Sequence, residues 1–396
     1  MSGAVHVLGL EGRELELVRA ALAGQFEMLP DVDASVASDE VVAVVHAGSE
    51  QELNRWAKLR PRVARVWLTD PETSREAITR GGVAHTYLHR PITVSSVQAV
   101  VDQALSLQTL LMDDAIRELV EELGTLPAQP RTYQALCVVL ASSSAGAREA
   151  AEVIERDVVV SASVLRMVNS SMYGLPRQVA SLPQAVGMLG MQVVQDLALT
   201  VEVLGQMVPA TPIPGVNLEE MQTTAHVVGS VARALVGGGR ADQAYMVGLF
   251  SALGQMALAS KAPDRYLAAT YLLQTDLTIE EALASVFGVR SLDLAAWMLA
   301  MWGLPWEVVD GVRTCDTHAA PEGGPIPLSG AVKIATCLVE EVRSMNTEQP
   351  MVLVTREMLE PWGLQRRLPV LRGLARSLGR GLEEPPPRRA PPVRPR

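Results

Sequence analysis

The sequence predicts a multidomain protein in which an N-terminal α/β domain with a doubly wound sheet precedes an all-α domain. Two observations predict this class. Short β-branched runs alternate with helical segments over the first hundred residues, and apolar residues recur every three or four positions from residue 125 onwards. A chain of 396 residues is long enough for two or three domains. We expect an α/β domain at residues 1–105, a connecting helix at 93–124, a helical domain with a C-terminal extension at 125–382, and a tail at 383–396.

The N-terminal segments favour a parallel sheet, because strands that alternate with short helices are joined by right-handed crossovers. The β-branched run Val41–Val45 predicts a strand that is buried on both faces. The expected strands are Val5–Leu8, Phe26–Leu29, Val41–Val45, Val63–Leu68 and Thr86–Leu88, and the expected helices are Arg13–Ala23, Glu50–Leu59 and Glu72–Thr79.

A single long helix is predicted from Thr93 to Leu123, since neither proline nor glycine interrupts this stretch. An apolar stripe, Val97–Leu119, runs along it in steps of three or four residues. The sequence leaves two arrangements open. Either the helix leaves the first domain, as a connector to the next domain or as a seam that pairs two protomers in a homodimer through this stripe, or it packs on its own sheet as the last helix of that domain.

Proline and glycine mark the expected helix ends between residues 125 and 382. The breaks fall at Gly174–Pro176, Pro209–Pro214, Gly237–Gly239, Pro263, Gly303–Pro305 and Pro321–Pro327. We interpret Gly237–Gly239 as a turn between helices, because the Lys and Ser or Thr of a phosphate-binding loop do not follow it. Residues 383–396 hold six prolines and four arginines, which predicts a disordered tail.

The composition argues against several classes of function. Apolar residues make up 48% of the chain and charged residues 20%, which is typical of globular proteins. A net charge of -10 argues against binding to nucleic acid. Six histidines and three dispersed cysteines argue against a disulfide framework or a cysteine-rich zinc site. The sequence has neither a signal-peptide pattern nor an apolar run of bilayer length, so we expect a cytoplasmic protein without membrane insertion and without a cofactor.

Three motifs in the helical segment carry a family resemblance. Residues 165–176 read LRMVNSSMYGLP, residues 185–190 read AVGMLG, and residues 301–305 read MWGLP. Together they resemble the HDOD domain, the HD-related output domain of bacterial signalling proteins, over about Leu126–Ala320. We expect the motif residues to build the fold rather than bind a ligand; they are Asn169, Tyr173, Gly174, Pro176, Gly190, Trp302, Gly303 and Pro305.

Local chemistry gives these residues structural roles. Asn169 falls near a helix end, where its side chain can bond to turn backbone. Gly190 is expected to let two helices approach closely, and Gly174 can take a positive φ before Pro176 stops the helix. Tyr173 needs a partner for its hydroxyl if the ring is buried.

The HD phosphohydrolases are relatives of this family, and they hold catalytic metals with histidines and an adjacent His-Asp pair. The resemblance therefore also implies which positions of this chain correspond to those metal ligands. His226 stands at the first histidine position. Ser251 and Ala252 occupy the places of the His-Asp pair, and two further ligand positions hold Ser291 and Cys315. One histidine cannot hold a catalytic metal, so we expect neither a metal nor an enzymatic activity, and we interpret His226 as a structural histidine.

The first domain resembles, more weakly, the receiver domain of response regulators. Receivers carry a phospho-accepting Asp after the third strand, where this chain has His46 and Ala47. Thr69 matches the Ser or Thr that follows the fourth strand, and Arg90-Pro91 stands in for Lys-Pro, whose proline often follows a cis peptide bond. We therefore expect a degenerate receiver without a phosphoacceptor.

These observations favour a non-enzymatic signalling scaffold or output protein that binds another signalling protein independently of phosphorylation. The alternative is a sensor that binds a nucleotide or another small molecule in the remnant HD cleft, with Arg233 and Arg240 as a basic cluster. The aromatic residues leave a similar choice between core packing, which their helical spacing favours, and a ligand pocket. They are Tyr245, Phe250, Trp297, Trp302 and Trp306.

Overall fold

The computed structural model describes most of the chain in two connected parts, a sheet domain and a helical domain. The described residues are 4–23, 27–29, 41–47, 49–60, 62–70, 73, 84–126, 130, 132–133, 135–136, 146–169, 173, 179–205, 207, 211–273, 277–302, 304–317, 325–345 and 353–379. The tail at 383–396 and almost all of the predicted helix Glu72–Thr79 lie outside these residues.

Five parallel strands form the N-terminal sheet in the order β2-β1-β3-β4-β5. This order is that of doubly wound α/β domains, and it confirms the predicted sheet. Each expected strand is present within one or two residues at either end. The strands are β1 (Ala4–Leu8), β2 (Glu27–Leu29), β3 (Val41–His46), β4 (Ala64–Thr69) and β5 (Thr86–His89).

Helices cover both faces of this sheet, which explains its continuous apolar strands. Helices α1 (Gly12–Leu22) and α3 (Val94–Leu111) pack against each other and cover one face. Helix α2 (Glu50–Leu59) covers the other face, where Leu53 and Trp56 pack against Val44 and Trp67. All six residues of β4 are buried as a result.

The predicted long helix is two helices, so the prediction of an uninterrupted one is wrong. Helix α3 ends at Leu111, and α4 (Asp114–Leu123) begins two residues after Met112. The Asp113 carboxylate accepts a hydrogen bond from the backbone N–H of Ile116 at 3.0 Å, and its own backbone is extended. An aspartate can therefore start a new helix where neither proline nor glycine marks a break.

The break also changes which residues face the core. Ile116 is buried, whereas Ala115, which the uninterrupted pattern placed on the apolar face, is exposed. The other apolar residues of the Val97–Leu119 stripe are buried against α1, β3, β4, β5 and the helical domain. Of the two arrangements left open by the sequence, the structure shows the helix packed on its own sheet. A homodimer stays a prediction, but this stripe is not an open surface for it.

The second part of the chain is built of helices, and its described residues include no strand. No single described helix has both the length and the apolar content of a bilayer span. Two consecutive helices, Ile279–Phe287 and Ser291–Met301, reach that length and apolar content together, but they are bent by 76° from each other. The helices are α5 (Ala147–Glu155), α6 (Val158–Val168), α7 (Leu182–Leu189), α8 (Met191–Leu204), α9 (Leu218–Val236), α10 (Ala241–Phe250), α11 (Leu253–Lys261), α12 (Pro263–Leu272), α13 (Ile279–Phe287), α14 (Ser291–Met301), α15 (Trp306–Arg313), α16 (Leu328–Ser344) and α17 (Leu368–Leu378).

Two hydrophobic cores lie in the helical domain, and α8 belongs to both. One face of α8 packs with α5, α6 and α7 in a smaller core, through Val194 and Leu197. Its other face, with Leu199 and Val203, packs in the main core, which also includes one face of the sheet domain. The buried tryptophans Trp297 and Trp306 and the aromatics Tyr245 and Phe250 pack in this main core, as their helical spacing predicted.

Glycines set the closest helix contacts. A Cβ on Gly248 of α10 would lie 2.6 Å from Gly229 Cα of α9, so these helices touch through their backbones. A Cβ on Gly254 of α11 would lie 1.8 Å from the carbonyl oxygen of Ser291 in α14. By contrast, a Cβ on Gly190 would meet nothing within 4 Å. The expectation that Gly190 serves helix approach is wrong; its φ of +88° between α7 and α8 is what favours glycine there.

The C-terminal segment is anchored to the helical domain by buried charge. Glu341 of α16 accepts hydrogen bonds from the backbone N–H groups of Leu353 and Val354 at 2.8 and 2.5 Å, and from Arg372 of α17 at 2.8 Å. These partners hold the pKa of Glu341 below its ordinary value, against the opposing effect of burial. This extension therefore folds as part of the same domain.

We expect Gly254→Ala to lower the free energy of unfolding by about 2–3 kcal/mol, because the methyl group must displace the Ser291 backbone. The matched control is Gly187→Ala, a helical position with open space around it, which should stabilise the protein by about 0.5–1 kcal/mol. Urea unfolding of both variants measures the difference. Equal stability of the two variants would contradict the close contact of α11 and α14.

Candidate functional site

His226 lies at the centre of a buried polar cluster between α8, α9 and α10. Its imidazole is 2% exposed, and both ring nitrogens have a tyrosine hydroxyl as partner. The hydroxyl of Tyr173 is 3.0 Å from Nε2, and that of Tyr245 is 2.8 Å from Nδ1. The hydroxyl of Thr200 lies farther from Nδ1, at 3.4 Å. Because a neutral imidazole donates at one nitrogen and accepts at the other, two tyrosines satisfy it completely.

Tyr245 extends this cluster from α10 to α8. Its hydroxyl lies 2.9 Å from that of Thr200 and 3.1 Å from the carbonyl oxygen of Asp196. The hydroxyl of Thr200 also donates to this carbonyl at 2.7 Å. The Tyr245 ring meets the His226 ring edge to face. The polar groups are therefore bonded mainly to one another, in a region that is closed to solvent.

Burial keeps His226 neutral. Burial, together with the nearby positive charge of Arg233, lowers the pKa of the imidazole to about 4. Burial also raises the pKa of Tyr173 and Tyr245, and the Asp196 carboxylate adds to this effect. Near pH 7 the three side chains are therefore uncharged hydrogen-bonding groups, and both nitrogens of the imidazole lie within hydrogen-bond distance of a tyrosine hydroxyl.

An ion pair between Asp196 of α8 and Arg233 of α9 closes the cluster on one side. Arg233 donates to both carboxylate oxygens of Asp196, with Nη2 at 2.9 Å from Oδ1, and Gln192 donates to Oδ1 at 3.2 Å. Burial raises the pKa of Asp196, and the Arg233 guanidinium opposes that shift. Arg233 also donates to Asp242 at 3.1 Å and lies over the Tyr245 ring at 4.3 Å.

Arg233 and Arg240 do not form the basic cluster that was expected from the sequence. The charge of Arg233 is balanced by two carboxylates, so it does not serve as a free anion-binding group. Arg240 is exposed in the short turn that precedes α10. The expected basic cluster of Arg233 and Arg240 is therefore not an open positive surface.

The positions of the catalytic His-Asp pair hold no metal ligand. Ser251 donates its hydroxyl to the carbonyl of Gly248 at 2.8 Å, which completes the end of α10. Ala252, which follows it, has no donor atom in its side chain. Ser291 is fully buried, and its hydroxyl donates to Glu280 of α13 at 2.5 Å. Both hydroxyls are therefore committed to structural hydrogen bonds.

The remaining ligand position holds Cys315, whose side chain is buried. Burial raises the pKa of the Cys315 thiol to about 12, so it stays protonated near pH 7. The neighbouring Asp316 accepts two hydrogen bonds of 2.7 Å from Arg290, and Asp293 accepts one of 3.0 Å from Arg313. No group of three or more possible metal ligands lies together within the described part of the chain. This donor set does not fit the metal centre of an HD phosphohydrolase.

The family-motif residues have mainly structural contacts. Asn169 at the end of α6 accepts from the backbone N–H of Val179 at 2.7 Å and donates to the carbonyls of Leu165 and Val179. It thereby joins the two ends of the segment between α6 and α7. Trp302 packs edge to face on Phe250, and Pro305 precedes α15. Tyr173 is the exception, because it bonds to His226; Gly174, Pro176 and Gly303 lie outside the described residues.

The N-terminal sheet has a second candidate site at the carboxyl ends of β1 and β3, where ligands of doubly wound domains bind. His46 is 2% exposed, and its Nε2 donates to Glu52 at 2.8 Å and to the Ser49 carbonyl at 3.2 Å. Ala47 donates its backbone N–H to β1. Arg90, which precedes a cis peptide bond, donates to both carboxylate oxygens of Glu14.

A cavity of about 710 Å³ lies between α6, α8 and α9, beside the polar cluster. Its walls combine aliphatic and sulfur-containing side chains with polar and charged ones, and Gln222 and Thr223 lie one turn before His226. The polar and charged lining residues are Ser163, Arg166, Asn217, Glu219, Gln222 and Thr223. None of Ser251, Ala252, Ser291 and Cys315 lines it, so it is distinct from the remnant HD positions. The apolar lining residues include Met167, Val201, Leu204, Met207, Ile213 and Met256.

Most residues of the polar cluster around His226 were not identified from the sequence. Asp196, Thr200 and Tyr245 belong to no motif, and they come from two helices other than the one that carries His226. One signal was available. Asp196 and Thr200 are polar residues four apart in the apolar helix α8, which is unusual unless both are bonded inside the protein.

Comparison with known proteins agrees with the motifs. Residues 126–318 match the family model of the HDOD domain. An HDOD domain protein of unknown function from Geobacter sulfurreducens is 19% identical, with 69% of this chain and 99% of that chain covered and a TM-score of 0.51. A provisionally named signal transduction protein from Marinobacter aquaeolei VT8 is 18% identical, with 83% and 78% covered and a TM-score of 0.52. At these identities the likeness concerns the fold alone.

Two further relatives broaden the comparison. A provisionally named phosphohydrolase from Shewanella amazonensis SB2B is 19% identical, with 69% of this chain and 99% of that chain covered and a TM-score of 0.50. An uncharacterised protein of Treponema pallidum (strain Nichols) is 21% identical over 277 residues, which is 69% of this chain. The match spans about half, 52%, of the length of that curated relative.

The buried His226 should make stability depend on pH. An unfolded chain protonates this imidazole near its ordinary pKa of 6.5, whereas the native protein keeps it neutral down to about 4. Protonation therefore stabilises the unfolded state as the pH falls between these values, by about 2 kcal/mol at pH 5. We expect His226→Gln to remove this loss, measured as the change in unfolding free energy between pH 7 and 5.

The control for this measurement is Tyr173→Phe, which removes one hydroxyl but keeps the imidazole buried. It should keep most of the loss of stability below pH 6.5. The same pH dependence in His226→Gln as in the unaltered protein would contradict a neutral buried His226.

Proposed function

Because residues 126–318 form an HDOD domain, we propose that the protein is a signal-transduction scaffold or output protein that binds another signalling protein and catalyses no reaction. The observation that carries this proposal is the state of the polar groups in the helical domain. Among the side chains at the HD ligand positions, His226, Ser251 and Ser291 are hydrogen-bonded inside the protein, Ala252 has no ligand atom, and the Cys315 thiol is buried and protonated near pH 7. Such a domain can present a surface, but it offers no reactive group to a phosphoester.

His226 is the strongest argument for this interpretation. In a metal-dependent phosphohydrolase the first histidine must offer a lone pair to the metal. Here both ring nitrogens are engaged by Tyr173 and Tyr245. A metal at either nitrogen would displace a buried tyrosine hydroxyl and leave it without a partner, which costs about 1–3 kcal/mol.

We propose in addition that the N-terminal domain is a degenerate receiver whose role does not depend on aspartyl phosphorylation. The strand order supports the likeness to receivers. At the end of β3, where receivers carry the acceptor carboxylate, His46 is bonded to Glu52 and Ala47 has no acceptor atom. Arg90, at the place of the receiver lysine, is paired with Glu14. The domain thus resembles a receiver in fold without its phosphoryl chemistry.

The test of catalysis uses the purified full chain with Mn²⁺ and two substrates, bis(p-nitrophenyl) phosphate and a cyclic dinucleotide. We expect no turnover above the rate without protein, because the donor set cannot hold the metal. Turnover that requires the metal and disappears in His226→Ala, but persists in the same-helix control Ser230→Ala, would overturn the proposal.

The binding half of the proposal needs a defined partner. We expect that a signalling protein crosslinked to the full chain in cells binds again when both proteins are purified and mixed. Its affinity should be unchanged in Ser251→Ala and in Cys315→Ser, since these positions only support the fold. If no crosslinked protein binds the purified chain, the scaffold function is wrong.

A second candidate function, a small-molecule sensor, is favoured by one observation, the cavity between α6, α8 and α9. Its volume of about 710 Å³ is that of ordinary ligand sites. Its charged lining residues are one arginine, Arg166, and one glutamate, Glu219, so the lining has no excess positive charge for the phosphates of a nucleotide. Titration calorimetry with adenine and guanine nucleotides should therefore give no heat. A nucleotide that binds the full chain, and no longer binds the cavity-filling variant Val201→Trp, would favour the sensor over the scaffold.

A further inference from the structure

His85, the residue before β5, touches both domains of the protein. Its side chain is completely buried. On the side of the sheet it bonds to Arg65 of the neighbouring strand β4. The backbone N–H of His85 donates to the Arg65 carbonyl at 2.8 Å, and the backbone N–H of Arg65 donates to His85 Nδ1 at 3.0 Å. The ring is therefore held in place by the sheet.

These bonds decide where the imidazole carries its proton. Since Nδ1 accepts from the Arg65 backbone, the proton of the neutral ring must be on Nε2. Nε2 then donates to the carbonyl oxygen of Ala300, at 3.0 Å, in helix α14 of the other domain. Nη2 of Arg65 lies 3.1 Å from the same Nε2, but a guanidinium nitrogen only donates, so the Ala300 carbonyl is the acceptor of the Nε2 proton. Burial and the Arg65 guanidinium keep the pKa of His85 well below its ordinary value, so the ring is neutral.

A second bond runs in the opposite direction between the domains. The backbone N–H of Trp306, the first residue of α15, donates to the carbonyl oxygen of His85 at 2.7 Å. His85 therefore binds both sides of the Trp302–Pro305 segment, at the end of α14 and at the start of α15. We call His85, Ala300 and Trp306 the His85 junction. Ala300 is fully buried and Trp306 is 8% exposed, so water cannot easily replace these bonds.

Helix α14 connects this junction to the remnant HD site. It runs from Ser291 to Met301, about 16 Å, without a proline or glycine to bend it. At its far end, Ser291 donates to Glu280 of α13, and the Leu292 N–H lies 3.3 Å from the same carboxylate. The Ser291 backbone also touches Gly254 of α11. A shift of α14 at one end therefore has to disturb contacts at the other.

We propose that the His85 junction is the point at which the N-terminal domain controls the HDOD domain, with α14 as the element that carries the change to Ser291 and Glu280. The junction suits this task because its bonds are buried and paired. A partly separated junction would leave buried N–H and C=O groups without partners, so docked and released states are favoured over intermediate ones. This inference goes beyond the proposed function, because it concerns how the two domains communicate whatever the HDOD domain binds.

The test is hydrogen exchange of the full chain, read by mass spectrometry, in His85→Leu, which removes both ring nitrogens but keeps an apolar side chain. We expect exchange to rise at least tenfold in peptides from β5, from the start of α15 and from residues 279–292 at the far end of α14. His85→Gln, whose amide can accept and donate in a similar way, should restore much of the protection. The control His89→Leu, on the exposed end of the same strand, should change none of these peptides.

Reciprocity gives a second variant, which leaves the N-terminal domain unaltered. Glu280→Ala removes the acceptor of Ser291 and should raise exchange of the β5 peptide at least threefold. If His85→Leu does not fold, exchange of the β5 peptide in Glu280→Ala tests the proposal. Faster exchange that stays confined to the residues around each substitution would show a local contact only and would overturn the proposal. Neither outcome depends on the partner or on catalysis, so failure here is distinct from failure of the proposed function.

Discussion

Polar groups buried between α8, α9 and α10 impose the constraint on which the helical domain depends. An imidazole, two phenols, a threonine hydroxyl and an ion pair lie in one closed region, and each must find a partner there. The Asp196–Arg233 pair joins α8 to α9, and Tyr245 joins α10 to both. Because the Gly229–Gly248 contact brings the α9 and α10 backbones together, these bonds can form at ordinary lengths. The three helices are thus joined by one set of side chains that bond to one another.

The same principle explains what replaces the HD chemistry. A metal site needs side chains with available lone pairs, and such groups are costly to bury unless the metal is present. In this chain the corresponding positions hold groups that satisfy themselves, such as Ser291 with Glu280. Nearby carboxylates are matched by arginines, as in the pair Arg290–Asp316. The polar atoms of these side chains are thus bonded to one another within the protein.

The two domains share one core as well as a chain connection. Helix α3 packs on the sheet with one part of its surface and on α14 with another, and the ion pair Glu122–Arg265 joins α4 to α12. The segment that carries the Trp302–Pro305 motif is therefore a contact surface for the N-terminal domain. A movement of either domain would therefore be felt at this contact, as the proposed His85 junction requires.

The sequence by itself determined the local features. Alternating strands and helices, helical periodicity and the breaks between helices follow from side-chain pattern and from proline and glycine, which act over a few residues. The replacement of expected ligands by Ser251, Ala252, Ser291 and Cys315, and a turn-bonding role for Asn169, were also readable from motifs alone. The pattern was misleading at Asp113, where a capping aspartate ends the apparent long helix, because the continuous apolar stripe concealed a local signal.

Only the tertiary structure decided which distant residues meet. Asp196 bonds to Arg233 across 37 positions of the chain, and His85 bonds to Ala300 across 215. The role of each glycine was likewise undecided, since Gly190 serves a positive φ whereas Gly254 serves a close helix contact. Periodicity shows which face of a helix is buried, but it does not show which helix covers that face. The choice depends on how all the buried polar and apolar groups are satisfied together, and no local pattern records that.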